Sequence, residues 1–317
     1  MPESPARDLQ TPPSAGPFSL DDEPAYRRWR ARKLGRFPAS VEALWVSVAR
    51  LGRPSEAERS AIAGACRRAN FALYRTDPRA PPAMDDLRAF AGALGLRSLD
   101  LHPWAPQGGI AALRREDGNG RGEYIPYTDR AMRWHTDGYY NTQATAVRGV
   151  IMHCVSPAAS GGANWLLDPE MLYIALRDID PACIETLMQP DVMTIPENTL
   201  SPELRRPAVT GPVFSVCDDA LHMRYTARTR SIRWKQDTAT RKAVALLDRL
   251  LTPPVAHAFR VGLAAGEGII CNNVLHEREA FRDDPINGRE RLLWRARYRE
   301  RVADKGAEPL AASQCAT

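Results

Sequence analysis

The stretch RWHTDGYYN (residues 133–141) places His135 and Asp137 two positions apart, beside a glycine and two tyrosines. Side chains alternate between the two faces of a β-strand, so residues two apart project to the same side. An imidazole and a carboxylate on one side can bind a single metal ion. Roughly one chain in three of this length contains such a pair by chance. A metal site therefore requires a third ligand from elsewhere in the sequence.

The composition is that of a globular protein, since 44% of the 317 residues are hydrophobic and 26% are charged. No apolar stretch of 18 residues is present, so no membrane span is expected, and the N-terminus lacks the pattern of a signal peptide. The six cysteines show no C-x-x-C spacing. We therefore expect reduced thiols, a cytoplasmic location and no membrane partner.

The net charge is +5, and only four of the 43 basic residues are lysines. The arginines are scattered rather than gathered in a basic run, so a nucleic-acid partner is not expected. Arginine in place of lysine favours recognition of carboxylates and phosphates, because guanidinium binds them through two parallel hydrogen bonds.

Four regions are predicted along the chain. Residues 1–20 are rich in Pro, Ser and Ala and form a loose N-terminal arm. Residues 21–100 form a mostly helical region packed on a barrel, and its helical pattern continues through PSEAERSAIAGACRRANFALYR (residues 54–75). Residues 101–301 contain short β-like runs separated by turns, which indicates an antiparallel sandwich or barrel. Residues 302–317 form a loose tail.

The third ligand is predicted in GEGIICNNVLHEREAF (residues 266–281), where His276 follows a short apolar strand. Two histidines and one carboxylate on one face of a metal leave three positions open, which suits non-haem Fe(II). In RLLWRARY (residues 291–298), Arg291, Arg295 and Arg297 share one strand face. A buried arginine without an anionic partner is costly. A bound dicarboxylate 2-oxo acid would offset that cost with a charge-assisted pair.

These motifs resemble the Fe(II)/2-oxoglutarate-dependent dioxygenases of the taurine dioxygenase-like (TauD/TfdA) superfamily. The resemblance covers roughly residues 100–300 and includes SGGANWLLD (residues 160–168). Around the distal histidine, NNVLHEREAF (residues 272–281) is similar to the γ-butyrobetaine and trimethyllysine hydroxylase branch. The fold class implied is mainly β with flanking helices (α+β), a double-stranded β-helix of the jelly-roll, clavaminate synthase-like kind.

Site residues follow from the same resemblance. It implies that His135, Asp137 and His276 bind Fe(II) and that Arg291 pairs with the far carboxylate of 2-oxoglutarate. Arg295 would contact the cofactor or an anionic substrate. Asn164 stands where relatives often have a threonine that hydrogen-bonds 2-oxoglutarate. Asn273 stands where the branch usually has an arginine. The candidates for substrate binding, besides Arg295, are Trp134, Tyr139, Arg224, Tyr225 and Arg228.

The function implied is an oxygenase that hydroxylates or otherwise oxidises an unactivated C–H bond, using O2 and releasing succinate and CO2. Its substrate would be a small polar carboxylate, an amino-acid-like molecule or a betaine-like molecule held by aromatic rings. Two alternatives stay open: a non-catalytic jelly-roll protein that binds a small acid, and an oxygenase that acts on a macromolecule. A homo-oligomer is also possible on this sequence.

Overall fold

A computed structural model describes residues 15–101, 108–116, 125–201, 204–228 and 231–302. Most of the predicted N-terminal arm, residues 1–14, lies outside the described residues. So does nearly all of the predicted tail, residues 303–317.

Six α-helices flank the strands of the described chain. They are α1 (Glu23–Arg36), α2 (Glu56–Ala69), α3 (Met84–Ala93), α4 (Pro169–Ile179), α5 (Pro181–Leu187) and α6 (Thr238–Leu250). Their starts follow local chemistry, as at α4, where the Asp168 side chain accepts a hydrogen bond from the Glu170 amide and Pro169 occupies the first turn.

Two main sheets form the body of the molecule. The six-stranded sheet contains, in spatial order, β1 (Trp45–Ser47), β2 (Phe71–Arg75), β16 (Glu267–Cys271), β5 (Gly149–Ser156), β19 (Leu292–Tyr298) and β3 (Ile110–Leu113). The four-stranded sheet contains β15 (Phe259–Val261), β7 (Asn164–Leu167), β17 (Leu275–Arg278) and β4 (Met132–His135).

Shorter strands form four small sheets around this body. They are β6 (Ser160–Gly161) with β18 (Phe281–Arg282); β8 (Met193–Ile195) with β11 (Val209–Gly211) and β14 (Arg233–Trp234); β9 (Asn198–Ser201) with β10 (Leu204–Arg206); and β12 (Phe214–Cys217) with β13 (Ala220–Met223).

The two main sheets face each other, because Arg295 of β19 reaches Asp137, just beyond β4, at 3.0 Å. The outer face of the six-stranded sheet packs against α2 and α3, and that of the four-stranded sheet packs against the remaining helices. In β17, Leu275 points outward into this packing while the next side chain, His276, points inward. Strand alternation thus leaves a polar interior between the two sheets.

The region 21–100 differs from the expectation of a mostly helical segment, because it also supplies β1 and β2 to the six-stranded sheet. The helical pattern ends at Asn70, which takes a left-handed conformation with φ 59°. Asparagine tolerates this conformation and commonly ends a helix. Residues 71–74 are fully buried and form a strand that pairs with β16, as expected for a short run that is apolar on both faces.

No helix among the described residues is both long enough and apolar enough to cross a membrane.

A buried ion cluster joins α1 to the start of α4. The Lys33 ammonium lies 2.5 Å from Asp168 and 2.6 Å from Glu170, and its side chain is only 5% exposed. Asp168 also accepts a hydrogen bond from the Asn70 side chain at 2.9 Å. The cluster therefore holds the N-terminal region against the four-stranded sheet.

We expect Lys33→Met to lower the free energy of unfolding by about 3 kcal/mol, because the buried carboxylate of Asp168 and the partly buried carboxylate of Glu170 lose their counter-ion. Urea denaturation followed by circular dichroism measures this change. Lys242→Met is the matched control: Lys242 pairs with Asp180 on the surface, where solvent screens an ion pair and its loss changes stability little. Equal stabilities of the two variants would contradict a structural role for the cluster.

Candidate active site

Three predicted metal ligands converge between the sheets. His135 and His276 are directly opposite each other on the antiparallel strands β4 and β17, with ring centres 4.2 Å apart. One ligand atom from each of His135, Asp137 and His276 lies within 4.8 Å of the other two. All three side chains are buried. This arrangement can hold one metal ion.

Backbone carbonyls orient both imidazoles. Nδ1 of His135 lies 2.8 Å from the Arg133 carbonyl, and Nδ1 of His276 lies 3.0 Å from the Val274 carbonyl. A protonated Nδ1 donates to each carbonyl, which leaves Nε2 of both rings as a lone-pair donor.

The unpaired atoms of the site fit a cation. Nε2 of His135 and Oδ2 of Asp137 are buried without a hydrogen-bond partner among the described residues. Burial, with a smaller contribution from His276, lowers the pKa of His135 to about 3, so its imidazole is neutral. Burial would raise the pKa of Asp137, but Arg295 and the other nearby basic side chains hold that pKa below its usual value. A neutral imidazole and an ionised carboxylate are the forms that bind metal.

Asn273 clamps the backbone that carries Asp137. Its Oδ1 accepts from the Asp137 amide at 2.8 Å, and its Nδ2 donates to the carbonyls of Asp137 at 2.9 Å and Val147 at 2.6 Å. Asn273 is 1% exposed and has φ 52°. A neutral amide therefore secures the metal-binding turn where the resembled branch usually carries an arginine.

Arg295 and Arg297 both face the interior. Arg295 donates to Asp137 at 3.0 Å. Arg297 pairs with Asp100 at 2.6 Å and donates to the Tyr140 hydroxyl at 2.7 Å. Arg295 thus lies beside the candidate metal rather than at the far end of the barrel.

The main cavity has a volume of about 760 Å³, and His135 and Asp137 form part of its wall. Its charged lining is strongly basic, with two carboxylates, Asp137 and Glu197, against six arginines: Arg133, Arg205, Arg206, Arg228, Arg295 and Arg297. Glu197 pairs with Arg205, and Asp137 pairs with Arg295. The excess positive charge suits an anionic ligand.

A second cavity of about 420 Å³ contains Arg291 and Asn164. Arg291 is 5% exposed, and its Nη1 has no hydrogen-bond partner in the described part of the chain. Its guanidinium lies 4.9 Å from the centre of the Phe281 ring. Burial lowers the pKa of Arg291 to about 10. This cavity can accept a carboxylate.

Three of the predicted substrate-binding residues do not line the main cavity. The Arg224 guanidinium donates to the backbone carbonyls of Tyr139, Met193, Val209, Gly211 and Pro212, which occupies its donors in a structural role. Tyr225 donates to Asp248 at 3.3 Å and packs in the core. Trp134 lies on the opposite face of β4 from His135 and also packs in that core.

Tyr139 and Arg228, by contrast, both line the main cavity. Sequence reasoning missed Arg278, which is 4% exposed and two residues beyond His276 on β17. The period of two along a strand was a usable signal for it. Arg133 and Arg206 were also missed. Arg206 lies over the Tyr140 ring, 5.2 Å from its centre, and only the tertiary fold brings these two residues together.

Comparison with known proteins agrees with this geometry. The family model "Taurine catabolism dioxygenase TauD, TfdA family" matches residues 36–297. The chain is 32% identical over 198 residues to a uridine-5'-phosphate dioxygenase of Streptomyces sp, covering 59% of this chain and 68% of that protein.

Two solved structures show the same fold. An asparagine oxygenase in complex with Fe(II), 3-hydroxyasparagine and succinate superposes with a TM-score of 0.59 at 15% identity, over 77% of this chain and 79% of that chain. The oxygenase OrfP in complex with Fe and alpha-ketoglutaric acid gives 0.57 at 16% identity, over 78% and 81%. The predicted jelly-roll fold with flanking helices is thereby confirmed.

The family match also confirms the predicted enzyme class and the two predicted cofactors. The alternative of a non-catalytic binding protein is therefore removed. This chain belongs to the taurine catabolism dioxygenase TauD, TfdA family, and it is an oxygenase that depends on Fe(II) and 2-oxoglutarate.

Proposed function

We propose that His135, Asp137 and His276 bind the Fe(II) of this enzyme. The support is their convergence within 4.8 Å and the two buried, unpartnered ligand atoms. When bound, the iron supplies the oxidative chemistry that couples conversion of 2-oxoglutarate and O2 into succinate and CO2 to oxidation of a substrate C–H bond. The protein binds and orients the reacting groups and keeps water away from them.

Arg291 is the residue we assign to the far carboxylate of 2-oxoglutarate. Its buried guanidinium has a donor without a partner and lines a cavity that the chain leaves open. Asn164 lines the same cavity, so its amide can donate where relatives often have a threonine hydroxyl. Arg295 orients Asp137 through its 3.0 Å contact and leaves further donors for a ligand in the main cavity.

The substrate we propose is a small molecule that carries a phosphate, of the size of a nucleoside 5′-monophosphate. The observation that carries this is the arginine-rich wall of the main cavity. The relative named uridine-5'-phosphate dioxygenase, at 32% identity, supports the same class. A positively charged trimethylammonium group, expected for a betaine-like substrate, would be repelled by these arginines.

Arg228 is the leading candidate for the phosphate contact. It is half-buried in the cavity wall, and its guanidinium has no hydrogen-bond or ion-pair partner among the residues that the structure describes. It lies close enough to Tyr139 to oppose the rise in pKa that burial causes in that phenol. Tyr139 and Arg228 therefore present a ring and a free cation on the same wall.

A cytoplasmic location is part of the proposal. The cysteines of the described residues, Cys66, Cys154, Cys183, Cys217 and Cys271, are all free and buried, as is usual where thiols stay reduced.

The function is tested by succinate formation from 2-oxoglutarate in air, with Fe(II) and either uridine 5′-monophosphate or uridine. We expect the monophosphate alone to stimulate succinate formation and to be oxidised, as followed by mass spectrometry. Asp137→Ala should abolish both while the protein stays folded. Equal stimulation by uridine, or stimulation only by free amino acids, would contradict a phosphate-bearing substrate.

Arg228→Gln should raise the KM for the phosphorylated substrate about tenfold or more, because a charge-assisted contact is lost. The KM for 2-oxoglutarate should not change, since Arg228 lies outside the cavity of Arg291. Arg233→Gln, at an exposed position of β14, serves as the control and should leave both constants unchanged. A parallel rise of both constants in Arg228→Gln would indicate a structural defect instead.

Asn273→Ala should weaken Fe(II) binding about 10- to 100-fold, because groups that hold a metal ligand in place affect affinity on that scale. Competition with a ferrous chelator under anaerobic conditions measures the change. Asn287→Ala, in an exposed turn, should match wild type. Iron affinity that is unaffected in Asn273→Ala would show that the clamp on Asp137 is dispensable.

A further inference from the structure

Two buried guanidinium groups lie against the same phenyl ring. The Cζ atoms of Arg278 and Arg291 are 5.0 Å and 4.9 Å from the centre of the Phe281 ring. Their residues are 4% and 5% exposed. We call these three residues the Phe281 centre.

Strand geometry directs Arg278 into the interior. It follows His276 by two residues on β17, so both side chains leave the same face of the strand. Arg278 is also directly opposite Asn164 of β7. Asn164 lines the cavity that contains Arg291, so the Phe281 centre lies at the end of the barrel assigned to the far carboxylate.

The positive charge of the Phe281 centre is only partly balanced by the described protein, through longer-range attraction to Asp129 and Asp283. Nη2 of Arg278 donates to the backbone carbonyls of Thr128, at 2.8 Å, and of Arg130. Nε of Arg278 and Nη1 of Arg291 are buried without a hydrogen-bond partner in the described part of the chain. Neither guanidinium forms an ion pair within 4 Å among those residues.

Burial of two like charges is unfavourable without a counter-ion. Desolvation lowers the pKa of Arg291 to about 10. An anion bound beside either guanidinium would reduce the cost of burying both charges.

We propose that Arg278 is a specificity-determining residue for the cofactor, and that it and Arg291 together form the binding centre for the far carboxylate of 2-oxoglutarate. Arg291 contacts the carboxylate. Arg278, whose guanidinium also lies against the Phe281 ring, supplies a second positive charge nearby. This inference rests on the assignment of 2-oxoglutarate to the cavity of Arg291. Its consequence is a strong preference for dicarboxylate 2-oxo acids over monocarboxylate ones.

The test compares two ligands that differ only at the far end. In 2-oxopentanoate a methyl group replaces the far carboxylate of 2-oxoglutarate. Calorimetry on the anaerobic Fe(II) enzyme gives a Kd for each acid without turnover. The ratio of the two Kd values measures recognition of the far carboxylate and cancels effects common to both ligands.

We expect Arg278→Gln to weaken binding of 2-oxoglutarate about tenfold while binding of 2-oxopentanoate changes little, since one buried charge is lost near the carboxylate. Arg278→Lys, which keeps the charge, should restore most of the ratio. Arg278→Met is a second neutral variant that answers the same question if Arg278→Gln does not fold. Arg282→Gln, at an exposed neighbouring position of β18, should keep the wild-type ratio.

A merely structural role for Arg278, through its bonds to residues 128 and 130, would change the Kd of both acids equally. That result, or an unchanged ratio in both neutral variants, would overturn the inference and leave the assignment of Arg291 intact. A wild-type enzyme that binds both acids with the same Kd would overturn the assignment of Arg291 as well.

Discussion

The cross-strand pairing of His135 with His276 is the constraint on which the rest of the site depends. Antiparallel neighbours have Cβ atoms only about 5 Å apart, so this register brings two imidazoles together without any loop rearrangement. A slip of one residue in either strand would turn its histidine outward toward the helices. Leu167 and Leu275 resist such a slip, because both are buried in the core on the outer face of the sheet.

The pairing positions the two histidines, so the remaining candidate ligand, Asp137, has to be positioned separately through its backbone. Asp137 lies in the turn after β4, where no ladder of hydrogen bonds secures it. The Asn273 side chain supplies the missing bonds from the turn before His276. One turn thus fixes both the position of the carboxylate and the start of the strand that carries the distal histidine. Arg295 adds a charge contact from the opposite sheet.

The interior of the barrel contains the guanidinium groups of Arg278, Arg291, Arg295 and Arg297, and this charge is costly in the absence of ligands. Arg295 and Arg297 are neutralised by Asp137 and Asp100. Arg278 and Arg291 have no such partner among the described residues. Two features outside the barrel interior offset this cost. Apolar side chains pack on the outer faces of both sheets, and the Lys33 cluster joins α1 to α4. Placing unpaired cations inside a rigid shell preorganises the enzyme for anionic ligands.

The sequence by itself determined the features that depend on period and spacing. The candidate pair His135 and Asp137, the strand near Arg291–Arg297 and the jelly-roll class were predicted from spacing and from the resemblance to relatives, although Asp137 lies in the turn after β4 rather than on the strand. The sequence also predicted His276 as the third ligand, because this histidine follows a short apolar strand. These properties are local, and a few neighbouring residues are enough to specify them.

Only the tertiary structure decided which arginines are available to a ligand. Arg224 and Arg228 are four residues apart, and the sequence does not distinguish their roles. In the structure, the Arg224 guanidinium donates to five backbone carbonyls, whereas Arg228 lines the cavity. The fold likewise decided that residues 71–75 form a strand, and that Arg278 and Arg291 meet at Phe281. A guanidinium on a long, flexible side chain takes whichever acceptors the distant backbone brings near, and sequence neighbours do not encode those acceptors.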